Sequence, residues 1–151
     1  MLIMKRYFAY GSNMSISRLR RRVSSASKID TARLKDYKFI CNKIGGDGTA
    51  KANIEFAHGE EVWGVIFELT KKDLEILDSY EGGYIRKKLR VRSGANEMKV
   101  YSYISNRVEE DLRVAPRYKD YIIQGAQENE LPKAYIEKLK RETGFIEKTI
   151  T

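Results

Sequence analysis

Apolar and polar positions along the chain change rhythm several times, and each change predicts an element. Residues 4–10 (Met-Lys-Arg-Tyr-Phe-Ala-Tyr) are aromatic-rich and stop at the turn cluster Gly11-Ser12-Asn13, which predicts a strand. Residues 36–42 and 61–69 read as further strands, with a Gly-rich loop over 44–53 between them. Strands over 84–92 and 98–104 complete the set. In the first of these, Arg86, Lys87, Lys88, Arg90 and Arg92 surround Leu89 and Val91, the pattern of a half-exposed strand. Helical signals are fewer. Residues 15–22 make a short helix with Ser15 as cap. Thr70 caps a second helix, with Asp73 three residues on. That helix carries Leu74 and Leu77 and ends at Gly82-Gly83. Residues 116–128 and 132–142 are each opened by a proline, where a missing N–H costs nothing. Strands are mostly consecutive and helices cluster at the end. This predicts a mixed, largely antiparallel α+β fold rather than a doubly wound sheet.

Composition narrows the class. The chain has 151 residues, which suggests one domain over 1–151 with no internal repeat or linker. Apolar residues at 42% exceed what disorder allows, and the apolar runs are too short for a bilayer span. The start, Met1-Leu2-Ile3-Met4-Lys5-Arg6, lacks the order of a signal peptide. Cys41 is the only cysteine and His58 the only histidine. That pair excludes an internal disulfide, a cysteine metal cage, a His-rich metal site and any relay of two imidazoles. A reducing, cytoplasmic setting is the simplest expectation. Lys and Arg number 29 against 21 Asp and Glu, a net charge of +8. The excess favours anionic partners, nucleic acid or small carboxylates, without choosing between them.

Most candidate motifs fail on spacing. Residues 45–51 (Gly-Gly-Asp-Gly-Thr-Ala-Lys) match neither a P-loop nor the dinucleotide pattern, and read as a loop needing positive φ. The basic runs Arg18, Arg20, Arg21, Arg22 and Arg86 to Arg92 read as solvated faces, with no RNP, KH or zinc-finger pattern beside them. Ser12 is not in a nucleophile elbow, and His58 beside Gly59 reads as a surface loop residue. Glu81 is different. It follows Leu74 by seven residues, nearly the same helical face, and sits at the helix C-terminal end. Burial and the helix dipole both raise a carboxylate's pKa there, as a general acid/base at neutral pH requires. A frayed turn with Glu81 in solvent, or an ion pair with Arg86 or Lys87, fits the same pattern. Tyr10, Tyr101, Tyr103 and Tyr118 can rim a pocket. Tyr101 and Tyr103 share a strand face, and Tyr118 keeps helical packing register with Tyr121, Ile122 and Gly125.

Taken together, these segments resemble the gamma-glutamylcyclotransferase family, with its AIG2-like fold. The matching strings are Tyr7-Phe8-Ala9-Tyr10-Gly11-Ser12-Asn13-Met14, Thr49-Ala50-Lys51-Ala52-Asn53-Ile54, Val62-Trp63-Gly64-Val65-Ile66-Phe67 and Leu77-Asp78-Ser79-Tyr80-Glu81-Gly82. Pro116-Arg117-Tyr118-Lys119 follows, then Gly125-Ala126-Gln127-Glu128-Asn129-Glu130-Leu131-Pro132-Lys133-Ala134-Tyr135, so the match covers almost the whole chain. The resemblance implies a small, mostly antiparallel β-barrel-like sheet with flanking helices. It implies a cofactor- and metal-independent enzyme that turns a γ-glutamyl-amino acid or -amine into 5-oxoproline and a free amine. The catalytic glutamate maps onto Glu81, the glutamyl-holding loop onto Tyr10, Gly11, Ser12 and Asn13, and two flanking tyrosines onto Tyr103 and Tyr118, with Tyr101 close to the first. The expected partner is a small γ-glutamyl molecule, not a membrane or nucleic acid, and a homodimer stays open. The acidic stretch Glu109-Glu110-Asp111 departs from the family's Pro/Ser-rich loop, which leaves the departing amine open. Two alternatives remain. The same scaffold can remove γ-glutamyl groups from amines, as a gamma-glutamylamine cyclotransferase or a deblocking enzyme. A non-catalytic basic module binding nucleic acid through Arg18 to Arg22 is the alternative of a different class.

Overall fold

The computed structural model describes residues 2–144. The reading of one domain over 1–151 includes Met1 and residues 145–151, which lie outside the described residues. Strand β1 (Met4–Ala9) leads through a 3-10 turn (Ser12–Met14) into helix α1 (Ile16–Arg22). Strands β2 (Ser27–Ile44) and β3 (Ala50–Thr70) follow, then α2 (Lys71–Tyr80), β4 (Ile85–Ser93), β5 (Asn96–Ile104), α3 (Pro116–Glu128) and α4 (Lys133–Thr143). The strands close into a barrel in the order β1-β3-β2-β4-β5. Four seams are antiparallel. The closing seam, β5 to β1, is parallel and pairs Tyr7 with Tyr101. The fold is therefore the mixed α+β barrel that the sequence predicts. Among the described residues no helix is long and apolar enough to cross a membrane.

The β2–β3 hairpin is longer than its hydrophobic pattern suggests. Its register slips between Lys28 and Asp30, Lys35 and Tyr37, and Cys41 and Lys43. Each slip puts successive side chains out of phase, so strict alternation is lost while pairing continues. The slips also bend the strands enough to close a barrel. At the middle one, residues 57–60 protrude opposite Asp36, which has φ +64° and accepts a hydrogen bond from Gly59 N at 3.0 Å. His58 stands there in solvent, 3.8 Å from Asp36, and not beside Ser12. The loop expected over 44–53 shrinks to the turn between Ile44 and Ala50. Gly48 (φ +81°) supplies the left-handed position, and Gly45 N donates to Thr49 O at 2.9 Å.

The four α-helix starts among the described residues show how local chemistry sets the frame. Ser15 Oγ accepts from Arg18 N at 3.4 Å, and Thr70 Oγ1 from Asp73 N at 3.0 Å. The second cap is completed through another loop. Thr70 N donates to Ser25 Oγ at 3.1 Å, and the Ser25 hydroxyl donates to the Asp73 carboxylate. Pro116 is the first residue of α3 as expected, whereas Pro132 is the cap residue before α4.

Helix α3 holds the 3-10 turn from behind. Asn129 Nδ2 donates to Met14 O at 2.9 Å and to Gly125 O at 2.7 Å, and Ile16 N donates to Glu128 Oε1 at 3.0 Å. Gly125 makes the approach feasible, because a Cβ there would lie 2.7 Å from Ser15 N and 2.8 Å from Met14 Cβ. Gly125→Ala tests this contact. Alanine's helix propensity favours the variant by about 1 kcal/mol. Overpacking against main-chain atoms that cannot rotate away costs about 1–3 kcal/mol. The overpacking should win, lowering the urea midpoint at unchanged m-value, and a more stable variant would show that the turn has room to retreat.

Candidate active site

Strand β1 and helix α2 deliver the two halves of one cavity. β1 ends at Ala9, and the chain turns through Tyr10 and Gly11 into the 3-10 turn, closed by Met14 N to Gly11 O at 3.1 Å. Gly11 has φ −117°, so its need for glycine is not a left-handed backbone. The need is proximity, since a Cβ at Gly11 would sit 2.9 Å from Ala52 Cβ. Helix α2 ends at Tyr80, and Glu81 is its C-terminal cap with non-helical φ −100° and ψ 49°. Leaving the helix turns Glu81 away from solvent, and only 13% of its side chain is exposed. The turn after it is tightly fastened. Gly83 takes φ +84°, Lys43 Nζ donates to Gly82 O at 2.7 Å, and Ser105 Oγ donates to Gly83 O at 2.7 Å. Asn53 holds Ser105 in turn, through bonds of 2.9 and 3.0 Å.

All seven residues singled out in the sequence line this cavity, which measures about 40 Å³: Glu81, Tyr10, Gly11, Ser12, Asn13, Tyr103 and Tyr118. Asn13 is the bridge. Its Nδ2 donates to Glu81 Oε1 at 3.1 Å and to the Tyr7 hydroxyl at 3.1 Å, while its Oδ1 is buried without a hydrogen-bond partner. Tyr10 donates to Tyr103 O at 2.5 Å, and Tyr103 donates to Asp78 Oδ1 at 2.5 Å. Tyr101, by contrast, carries Lys5, Arg86 and Lys88 around its ring and does not line the cavity. Tyr118 does more than pack. Ala52 N donates to its hydroxyl oxygen at 2.8 Å, leaving the hydroxyl proton to be given elsewhere. Tyr84 donates to Ala52 O at 2.6 Å, so two tyrosines satisfy both peptide groups of one residue.

Burial is the largest influence on Glu81 and pushes its carboxyl above the ordinary glutamate value. Arg22, Asn13, Lys43 and Arg18 pull the other way without prevailing. The pairing cation is thus Arg22, at 4.0 Å, and not Arg86 or Lys87. Arg86 engages Asp78 at 3.3 Å instead. Burial also raises Tyr7, Tyr10, Tyr103 and Tyr118, so all four are neutral hydroxyls at neutral pH. Cys41 is pushed up to about 12 by burial, an inert thiol. Among the described residues no cluster of three or more His, Cys, Asp or Glu side chains is placed to hold a metal ion.

Several residues in and around the cavity were not legible. Tyr7 enters from β1 and Tyr84 from the start of the segment after Gly83, neither with a local signal. Lys43, at the cavity mouth, had none either, because the register slip between Cys41 and Lys43 hides its direction. The first basic run divides. Arg20 donates to Ala26 O at 3.0 Å and Arg21 to Tyr121 at 2.9 Å, whereas Arg18 and Arg22 turn toward the cavity mouth. The expectation of one solvated face fails for that second pair, because α1 packs beside the end of α2. The run on β4 is solvent-facing as expected.

The raised carboxyl gives a stability test. Unfolded glutamate titrates near its ordinary value of about 4.3, and folded Glu81 above it. Between the two the native state holds the extra proton, so stability falls as pH rises through that window. Glu81→Gln removes the buried charge. The variant should resist urea better than the parent at about pH 7, with the gap closing below about pH 4. A parent more stable than the variant at neutral pH would mean that the Arg22 and Asn13 contacts outweigh burial.

Comparison with known proteins agrees with this architecture. The AIG2-like family model matches residues 61–139. Gamma-glutamylcyclotransferase of Mus musculus is 37% identical over 145 residues, covering 89% of this chain and 76% of the mouse protein. That of Homo sapiens is 37% identical over 145 residues with the same coverage. A solved gamma-glutamyl cyclotransferase structure superposes with a TM-score of 0.87 at 32% identity, over 98% of this chain and 94% of the other. Similarity of this extent runs through the barrel and the helices that brace its mouth, and the chain belongs to the gamma-glutamylcyclotransferase family of enzymes.

Proposed function

We propose that the enzyme cyclises a γ-glutamyl amide to 5-oxoproline and releases the amine, with Glu81 carrying the proton between the two nitrogens. The observation behind this reading is a carboxylate held almost out of water, with a raised pKa, at the edge of a cavity lined by neutral hydroxyls and amides. The substrate's α-ammonium cannot attack until it loses a proton. Glu81 takes that proton, and the unpartnered Asn13 Oδ1 beside it accepts from the same nitrogen. The freed amine forms a bond to the γ-carbonyl carbon and closes a five-membered ring. The carbonyl oxygen gathers negative charge, and the Tyr118 hydroxyl donates to it. Glu81 then gives that proton to the amide nitrogen as its bond to carbon breaks, takes the second proton from the ring nitrogen to leave a neutral lactam, and passes it to the released amine. Because the attack is intramolecular, holding the glutamyl chain folded can contribute about 7–11 kcal/mol. The Tyr10 to Asn13 turn is assigned that task, its main-chain N–H groups receiving the substrate's α-carboxylate. A cytoplasmic setting, where Cys41 stays reduced, suits the enzyme.

Two measurements test the reaction. Glu81→Gln keeps shape and an acceptor for Asn13 but cannot take a proton. Turnover should drop by at least about 10²-fold with an unchanged circular dichroism spectrum. Near-parental turnover in a folded variant would remove Glu81 from the reaction. A substrate acetylated on its α-amine should release no amine, because its nucleophile is blocked while the γ-amide is intact. Enzyme-dependent N-acetylglutamate at a comparable rate would replace cyclisation with hydrolysis.

A further inference from the structure

Outside Glu81 the cavity opens into a basin of about 780 Å³, and the two share Ser12, Glu81, Tyr84 and Tyr118. We propose that this basin is a leaving-group subsite for anionic amines. It favours γ-glutamyl substrates whose departing amine carries carboxylates, two above one, over neutral or cationic amines. The inference rests on the proposed cyclisation, which puts the glutamyl end inside and the departing nitrogen at Glu81.

The basin's charge carries the argument. Arg18, Arg22, Lys43, Lys51 and Arg107 line it, and Glu81 is the single carboxylate among its walls. The inner cavity has no cation in its lining. The two compartments are thus chemically segregated, neutral donors within and cations without. The five cations come from α1, β2, β3 and the segment after β5, so they converge by folding rather than as one run. That last segment is tied down by Ile44 N to Arg107 O at 3.2 Å and Ala50 N to Arg113 O at 2.8 Å. It offers Arg107 to the basin, while the acidic Glu109-Glu110-Asp111 stretch stays outside the lining.

Internal partners leave much of this charge uncompensated. Arg22 is 4.0 Å from Glu81, and Lys51 is 3.5 Å from Asp47, which is not a wall residue. Lys43 is held by a neutral carbonyl. Arg18 Nε is buried without a hydrogen-bond partner, and Arg107 has no ion pair among the described residues. Burial holds Lys43 and Arg18 below their ordinary values, and repulsion from neighbouring cations, Lys51 and Arg107 on the first and Arg22 on the second, acts in the same direction. An anion in the basin relieves that repulsion, and a cationic amine adds to it.

The test is a kcat/KM series on γ-glutamylglutamate, γ-glutamylalanine, γ-glutamylethylamide and γ-glutamylputrescine, with 5-oxoproline as readout. The order of preference should be the order written, with the diacid ahead of the ethylamide by about tenfold or more at low salt. The gap should narrow between about 0.05 M and about 0.5 M salt. Lys51→Met and Arg107→Gln should each compress the ratio of diacid to ethylamide. Equal kcat/KM across the four compounds, or a ratio that ignores salt, overturns the proposal. The parent enzyme alone decides it should either variant fail to fold. If no compound yields 5-oxoproline, the cyclisation reading falls instead. Calorimetric binding of the same four compounds then decides the basin, with selectivity for the diacid upholding it and equal binding ending it.

Discussion

Closing the barrel requires β1 and β5 to run side by side in the same direction, and the site depends on that seam. It is short on regular ladder pairing, with Tyr7 opposite Tyr101. Side chains reinforce it. Ser102 Oγ donates to Phe8 O at 2.8 Å, and Tyr10 donates to Tyr103 O at 2.5 Å. The rings of Tyr7 and Tyr103 meet edge to face at 5.8 Å. Both strands end at the cavity, so the contacts that close the fold also set the spacing between the Tyr10 turn and Tyr103. Tyr103 then reaches Asp78 in the last turn of α2, and Asp78 is also paired with Arg86 of β4. The residue that follows that turn, Glu81, is fixed through the same chain of contacts.

Holding a carboxylate out of water is costly, and the surroundings compensate only in part. One amide N–H bond from Asn13 and a cation 4.0 Å away are modest help. Other contacts keep the group from escaping. Lys43, Ser105 and Asn53 immobilise the main chain on its C-terminal side. α3 immobilises the opposite wall through Asn129, Glu128 and the missing side chain of Gly125. Stability is given up at one side chain and recovered in the main-chain bonds around it.

The elements and their order were legible because each carries local chemistry: Thr70 with Asp73, Pro116, the Gly82-Gly83 stop, the aromatic run before Gly11. The hairpin lengths were not, since the slips near Asp30, Asp36 and Asn42 shift the alternation that reveals a strand. Ala50 to Asn53 looked like loop for a related reason. These residues have weak strand preference, and at Ala52 a small side chain is demanded by Gly11 passing close by. Glu81 stood out by position, yet the ion pair left open for it was with Arg86 or Lys87, because nearness in sequence gives no hint that α1 brings Arg22 to the end of α2. The family resemblance singled out the residues of the Tyr10 turn. It did not reveal Tyr7, Tyr84 and Lys43, which arrive from three segments distant in sequence.

Ala52 sits at a junction between compartments of the molecule. Its carbonyl is capped by Tyr84 and its amide by Tyr118, a residue of α3. The amide proton is therefore shielded from solvent deuterium by a helix side chain. Its exchange reports whether α3 is seated, independently of whether the barrel is intact. If α3 lifts while the strands stay paired, this amide exchanges early, together with the departure of the Tyr118 hydroxyl from the cavity. A single main-chain proton thus registers the local opening event that disassembles one wall of the site, at an energy below that of global unfolding.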